Sequence, residues 1–293
     1  MIVDVSVCTL VRGRREHLSR LITGLNRQAV RPDELVIAYM QDNPHEALPE
    51  TPFPVKSLKV PGQRLPLAAS RNRAAMVANG RVLIFLDVDC IPGPDLVRSY
   101  ARAVGQTGGC VMGEARYLGN DAPFPTDRPW RFDELWDSAE RHPARPSGED
   151  HPTGTPPVPI LDTSELWGLS FALPKMQYLR AGGFDESFVG YGGEETDFAR
   201  SLAEHDVPLH FEPRARAVHQ WHPVHQPPLQ HFDDIVANAR RFRAKRGSWP
   251  MGYWLDQFER DGFIHRGRDI AVLRRPSDAE LAQAERPGDV RFS

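Results

Sequence analysis

The sequence predicts an α/β protein: a mostly parallel central sheet with helices on both faces, followed by a C-terminal helical extension. Three observations carry this. Runs such as Val82-Leu83-Ile84-Phe85-Leu86 are continuously apolar, with β-branched and aromatic residues among them, as in strands buried on both faces. Between such runs lie stretches with apolar residues at i, i+3, i+4 and i+7, which is one face of a helix. The two kinds of segment alternate with short connections, the pattern of right-handed βαβ units.

In order along the chain, Ile2 to Val11 is nearly continuous apolar sequence and reads as the first strand. From Arg14 to Gln28, Leu18, Leu21, Ile22 and Leu25 mark a helical face, and Arg31-Pro32-Asp33 ends it. Glu34 to Met40 is a second strand, leading into Gln41-Asp42-Asn43-Pro44, a proline-rich loop and a short strand near Val55 to Val60. Leu65 to Asn79 is alanine-rich and helical, with Asn79-Gly80 as its stop. The Val82 strand follows, then a short helix from Pro94 to about Val104 and another strand over Cys110 to Tyr117.

Gly119 to Pro159 breaks this rhythm with prolines, acids and histidines. Trp130, Phe132, Leu135 and Trp136 suggest one packed helical turn inside a partly mobile, substrate-side insertion. Leu166 to Leu173 then reads as a strand, and Lys175 to Gly183 as a helix and turn. A helix begins at the acids near 194, with Phe198, Ala199, Leu202 and Ala203 as its apolar face. Val207 to Phe211 and Ala215 to His219 read as two short strands. From Leu229, the residues Phe232, Ile235, Val236, Ala239 and Phe242 form an amphipathic helix. The polar tail from Gly247 is expected to wrap back over the domain. Four regions result: 1–118, 119–159, 160–228 and 229–293.

Composition narrows the function. The chain has 293 residues, enough for one large α/β domain or two small ones. Its formal net charge of −3 gives no basic surface for nucleic acid. Cys8, Cys90 and Cys110 are odd in number and scattered, so they read as reduced thiols of a cytoplasmic protein. No apolar stretch approaches the roughly 20 residues that span a bilayer, and no signal-peptide pattern opens the chain.

Three constellations carry chemistry. Asp87 and Asp89 follow the Val82 strand at i and i+2, so on an extended chain they point together into the crevice at the sheet's carboxyl edge. Paired carboxylates suit Mg²⁺ or Mn²⁺ carrying a phosphorylated ligand, although two solvated acids at a strand end would look the same. Gly182-Gly183-Phe184-Asp185-Glu186 and Gly190-Tyr191-Gly192-Gly193-Glu194-Glu195-Thr196-Asp197-Phe198 place glycines beside an aromatic, where the backbone can approach a ligand. The acids then open a helix, whose N-terminal dipole favours negative charge. Last, His219 ends a strand and His222 follows it, and either could offer an imidazole to a metal held by Asp89.

Taken in this order, with Val5-Ser6-Val7-Cys8-Thr9 and Ser70-Arg71-Asn72, the residues from about Val3 to His222 resemble a GT-A glycosyltransferase of family 2. The later part is similar to β-1,4-galactosyltransferases and chondroitin-polymerase-type enzymes. The resemblance implies a Rossmann-like GT-A fold and metal-dependent, inverting transfer from a nucleotide-sugar donor, a UDP-sugar, to an acceptor hydroxyl. By position it implies donor contacts from Thr9, Asp42, Arg71, Asp87 and Asp89, with Asp87 on the ribose. Glu195 matches the catalytic base. Glu194 matches an acceptor-binding acid, with Trp167, Tyr191, Gly192 and Gly193 beside it. Mn²⁺ or Mg²⁺ would be held by Asp89 with His219 or His222.

The chain departs from the family in three places. Gln41-Asp42-Asn43-Pro44 stands where D-D-G-S is common, Glu195 stands where the galactosyltransferases have aspartate, and the 119–159 insertion has no counterpart. Two rival functions are a D-x-D phosphotransferase, which would carry its acids on the first strand, and a non-catalytic nucleotide-sugar-binding protein, which would not need an acid at Glu195.

Overall fold

The structure is a computed structural model that describes residues 4–150, 157–288, 290 and 291. The expected first strand therefore extends outside the described residues at Ile2 and Val3, and the 119–159 insertion does so at 151–156. The last region does so at 289, 292 and 293.

The first part alternates β1 (Val5–Val11), α1 (Arg15–Asn26), β2 (Glu34–Tyr39), β3 (Val55–Lys59), α2 (Leu67–Val77) and β4 (Val82–Leu86). There follow β5 (Cys90–Pro92), α3 (Leu96–Thr107) and β6 (Cys110–Tyr117), then α4 (Phe132–Ser138), β7 (Glu140–Arg141) and β8 (Val158–Ile160). The next part holds β9 (Ser170–Pro174), α5 (Lys175–Arg180), α6 (Glu194–Glu204) and β10 (Leu209–His219). The chain ends in α7 (Phe232–Arg246), α8 (Gly252–Arg260), β11 (Ile264–Arg266), β12 (Ile270–Val272) and α9 (Asp278–Ala284).

The main sheet runs β3-β2-β1-β4-β9-β6-β10-β5, with β7 beside β6 and β8 beside β10. Along this path only β9 and β5 oppose the common direction, so the sheet is mostly parallel. Successive side chains in a strand point to opposite faces, and β1 therefore feeds two cores. Val5, Val7 and Val11 pack with α1 (Leu18, Leu21, Ile22, Leu25) and α3 (Leu96, Tyr100). Cys8 and Leu10 pack on the other face with Ala68 and Ala74 of α2, Tyr178 of α5 and Phe198 of α6.

Three sequence expectations need correcting. First, Val207–Phe211 and Ala215–His219 do not form two strands but a single one, β10, whose pairing to β6 shifts register between Glu212 and Arg216. Pro213 sits in that irregularity, where its missing N–H costs the ladder nothing. Second, the strand expected over Leu166–Leu173 starts at Ser170. Residues 163–165 instead form a 3₁₀ turn capped by Asp162, and Leu169 bends over to accept a hydrogen bond from Asp87 N–H (2.9 Å). Third, the tail is more than a polar wrap. Leu255, Phe258, Phe263, Ile264 and Ile270 bury against Phe232, Ile235 and Ala239 of α7 as a separate small core. It does return to the domain, since Gln226 N–H donates to the Ala284 carbonyl and Arg286 N–H to that of Val224, each at 2.8 Å.

The described part of the insertion is anchored. Leu135, Trp136 and Ala139 pack on Ile91 and Val218, and buried Glu114 accepts hydrogen bonds from Ser147 Oγ (3.1 Å) and Gly148 N–H (2.9 Å). Among the described residues, no helix is long and apolar enough to cross a membrane.

Candidate active site

The site forms where β4 ends. Three residues, Asp87 to Asp89, link β4 to β5, yet β9, β6 and β10 lie between those strands in the sheet. Crossing a flat sheet by four strand spacings would take roughly 19 Å, while four residues of chain reach at most about 14 Å. The sheet must therefore curl around the aspartates. Val88 and Asp89 form a turn and not extended chain. The two carboxylates meet different partners: Asp87 faces Arg71, while Asp89 faces Arg14 and the histidines.

The first cluster is organised by Arg71. It projects from α2, is 2% exposed, and lies 3.1 Å from Glu194, 3.1 Å from Glu195 and 3.7 Å from Asp87. Its guanidinium also sits 5.0 Å from the Phe184 ring centre. Burial disfavours this charge, but the three carboxylates more than offset the loss and push its pKa up. The acids feel the same crowding. Burial pushes Asp87 up to about 7 against the pull of Arg71, with Glu195, Asp89 and Glu194 adding repulsion. Glu194 is raised by burial and by Glu195, and Arg71 opposes this. Glu195, at the N-terminus of α6, also accepts the Gly168 N–H at 3.0 Å.

The second cluster surrounds Asp89. Ligand atoms of Asp89, His219 and His222 all lie within 4.8 Å of one another. His219 ends β10 and lies tilted against Tyr117, ring centres 4.8 Å apart, while His222 follows in the next loop. Burial lowers the pKa of His219 to about 3, despite the attraction of Asp89, and burial lowers that of His222 too. His219 is thus a neutral imidazole over ordinary pH, the form that ligates metals. Asp89 Oδ1 is buried and has no hydrogen-bond partner among the described residues, an arrangement that costs free energy unless a cation takes it up. One carboxylate and two imidazoles fit a divalent ion such as Mn²⁺.

The glycine turn approaches something other than open space. Gly190, Gly192 and Gly193 all have positive φ (83°, 90° and 88°), a conformation glycine tolerates. A Cβ at Gly190 would fall 2.2 Å from the Asp234 carboxyl, and one at Gly192 would fall 2.6 Å from Met251 Sδ. The close approach is therefore to α7 and the start of α8. Tyr191 stacks on His231 at 4.4 Å. Lys245 of α7 bonds Asp185 (2.7 Å) and Asp197 (2.8 Å), which ties the C-terminal extension to the motif.

Other expected residues are more dispersed. Thr9 is fully buried in β1, with Oγ1 unpartnered among the described residues. Asp42 is exposed in the loop after β2, and no described hydrogen bond or ion pair joins it to either cluster. Trp167 stacks against Tyr117 (5.8 Å) with the Arg145 guanidinium over its ring (4.2 Å). Three neighbours went unnoticed in the sequence. Arg14 pairs with Asp89 Oδ2, His17 Nε2 lies 3.9 Å from Asp89 Oδ1, and the Gln220 N–H donates to the Asp89 carbonyl at 2.6 Å. Nothing in the local pattern marks Arg14 or His17, because each reaches Asp89 across more than 70 residues of sequence.

Comparison with known proteins agrees with this architecture. The family model of glycosyl transferase family 2 matches residues 6–161, more than half of the chain, and one described as the N-terminal domain of galactosyltransferase matches 155–223. Two Streptomyces hygroscopicus proteins, both called validoxylamine A glucosyltransferase, are 27% identical over 205 residues. Those regions are 64% of this chain and 47% and 44% of theirs, so the chain spans about half the length of the curated relatives it matches. The fold is similar to that of GalNAc-T7, solved with UDP, GalNAc and Mn²⁺ (18% identity, TM-score 0.53, 75% of this chain and 43% of that one). It is also similar to that of Staphylococcus aureus TarS 1–349 in complex with UDP-GlcNAc (11% identity, TM-score 0.55, 86% and 69%). With its GT-A fold and galactosyltransferase-like segment, the chain belongs to glycosyl transferase family 2.

Proposed function

We propose that the protein transfers a sugar from a nucleotide-sugar, of the UDP class, to an acceptor hydroxyl with inversion at the anomeric carbon and with help from a divalent ion. The observation that carries this is the single buried Arg71, which gathers Asp87, Glu194 and Glu195 beside the Asp89–His219–His222 cluster. The strand-end carboxylate of Asp87 and the acids of the glycine turn, over 100 residues apart in sequence, thus meet at one guanidinium. The TarS and GalNAc-T7 structures, by their descriptions, hold UDP-GlcNAc and UDP respectively.

In this reading, residues 1–118 form the donor half and 160–228 the acceptor half, with the 119–159 insertion and the 229–293 extension around them. Thr9, Asp42 and Arg71 border the nucleotide and Asp87 faces the ribose. Asp89, His219 and His222 would hold Mn²⁺, or Mg²⁺ less readily given two imidazoles; bound there, the ion supplies positive charge to the departing diphosphate. Glu194, Trp167, Tyr191, Gly192 and Gly193 border the acceptor.

Glu195 accepts the proton of the acceptor hydroxyl as its oxygen bonds to the anomeric carbon. The bond from that carbon to the diphosphate breaks on the opposite side, and its electron pair leaves with the phosphate. The carbon passes through an oxocarbenium-like state. Gly168 N–H and Arg71 fix Glu195 from two directions, so the base is held in place before the acceptor arrives. The unpaired thiols of Cys8, Cys90 and Cys110, all buried, fit a reducing compartment, and we place the enzyme in the cytoplasm.

The test measures UDP release from UDP-glucose, UDP-galactose and UDP-GlcNAc with Mn²⁺, in the wild type and in Glu195→Gln. The substitution should cost about 10²- to 10⁴-fold in turnover and leave the thermal shift produced by UDP and Mn²⁺ intact. Unchanged turnover in Glu195→Gln would overturn the assignment of the base. Binding without turnover in the wild type would favour a non-catalytic nucleotide-sugar-binding protein.

A further inference from the structure

The 119–159 insertion reaches the candidate base through a short chain of contacts. Its residues 147 and 148 are clamped to the sheet, because the buried Glu114 carboxylate accepts from Ser147 Oγ and Gly148 N–H. Just before that clamp, Arg145 lays its guanidinium 4.2 Å from the Trp167 ring centre. It is itself held by the Glu165 carbonyl (3.1 Å) and carboxylate (3.2 Å). His142 meets the same indole edge-on at 5.3 Å. Trp167 is fixed in turn by Tyr117, stacked on its ring at 5.8 Å, and by its backbone N–H, which donates to Met112 Sδ at 3.1 Å.

The next residue is Gly168, whose N–H donates to Glu195 Oε2 at 3.0 Å. Residues 166–169 belong to no strand, so no ladder of backbone hydrogen bonds holds that N–H in place. The loop on either side is held by Leu166 N–H on the Thr163 carbonyl (3.1 Å), by Asp87 N–H on the Leu169 carbonyl (2.9 Å) and by the packed Trp167 side chain. A cation over an indole face is attracted to the ring's electron density. That attraction biases the loop toward the aimed conformer.

We propose that Arg145 is a positioning residue for Glu195, acting through Trp167 and the Gly168 amide, so that the insertion sets the aim of the base. This rests on the reading of Glu195 as the base. It assigns the insertion a part in catalysis without requiring it to touch the acceptor.

Two measurements test it. Hydrogen–deuterium exchange of the Gly168 amide needs no substrate. Arg145→Ala should speed exchange there at least about tenfold, while Arg145→Lys, which keeps a cation over the ring, should restore most of the protection. Unchanged protection in Arg145→Ala would overturn the proposal. The second measurement is a double-mutant cycle in UDP release from the UDP-sugar that the wild type turns over fastest. Arg145→Ala should lower kcat about 10- to 100-fold with donor KM within about twofold, and should add less than about twofold in a Glu195→Gln background. Multiplicative losses, or a loss confined to KM, would overturn it. Full turnover by Glu195→Gln alone would instead remove the base assignment, a different outcome from an inactive Glu195→Gln beside a fully active Arg145→Ala.

Discussion

The backbone N–H of Gly168 donates to Glu195 Oε2 across 3.0 Å, and a Cβ at that glycine would lie 1.9 Å from Glu195 Oε1. The amide that holds the carboxylate and the space the carboxylate fills come from the same residue. Gly168→Ala should therefore push the Glu195 side chain out while leaving both helices and strands in place. We expect a loss of turnover of about 10²-fold, the scale of an ångström of misplacement. UDP release checks it, with circular dichroism showing an unaltered fold.

Arg71 is the counter-charge for three carboxylates, and removing it strands them. Arg71→Met should destabilise the protein by about 3–5 kcal/mol, the cost of leaving buried charge uncompensated. Arg71→Lys should recover part of this, because an ammonium cannot span Glu194 and Glu195 in the way the guanidinium fork does. Urea unfolding of the two variants measures the difference.

Asp89 and His219 should each be needed for divalent-ion binding. Asp89→Asn and His219→Ala are expected to weaken Mn²⁺ affinity at least about tenfold, as loss of a metal ligand or its support does. Titration of free Mn²⁺ by electron paramagnetic resonance follows this directly. Chelation with EDTA should abolish UDP release, and added Mn²⁺ should restore it.

Acid stability should report the tie between the G-G-F-D-E turn and α7. Partial burial raises the Asp185 carboxyl, but hydrogen bonds from Lys245 and Ser187 overcome this and hold its pKa down to about 2, below the ordinary 3.8. Between those values the unfolded chain binds more protons than the folded one, so stability falls as pH drops from about 4 to about 2. Asp185→Asn should be less stable at neutral pH and show a shallower decline across that window. Melting temperatures from pH 2 to pH 6 test both.

Local sequence decided which segments became strands and helices, and it marked the acids and histidines of the candidate site. The apolar run of Val82–Leu86, the 3.6-residue spacing of Leu18, Leu21, Ile22 and Leu25, and the alternation of such segments are short-range features of the chain. They required a layered α/β fold and placed Asp87 and Asp89 at a strand end. The order of D-x-D, glycine turn and late histidines carried the family. Long-range packing decided the rest. Asp87 and Asp89 meet different partners on either side of a three-residue link around which the sheet curls, and that depends on how β9, β6 and β10 stack between β4 and β5. The turn glycines make room for Asp234 and Met251, and Arg14 and His17 meet Asp89 from the start of the first helix and the residue before it. Periodicity tells a residue which face it occupies, but only the closed tertiary structure tells it which distant side chain shares that face. A buried charge network such as that of Arg71 exists solely through such meetings.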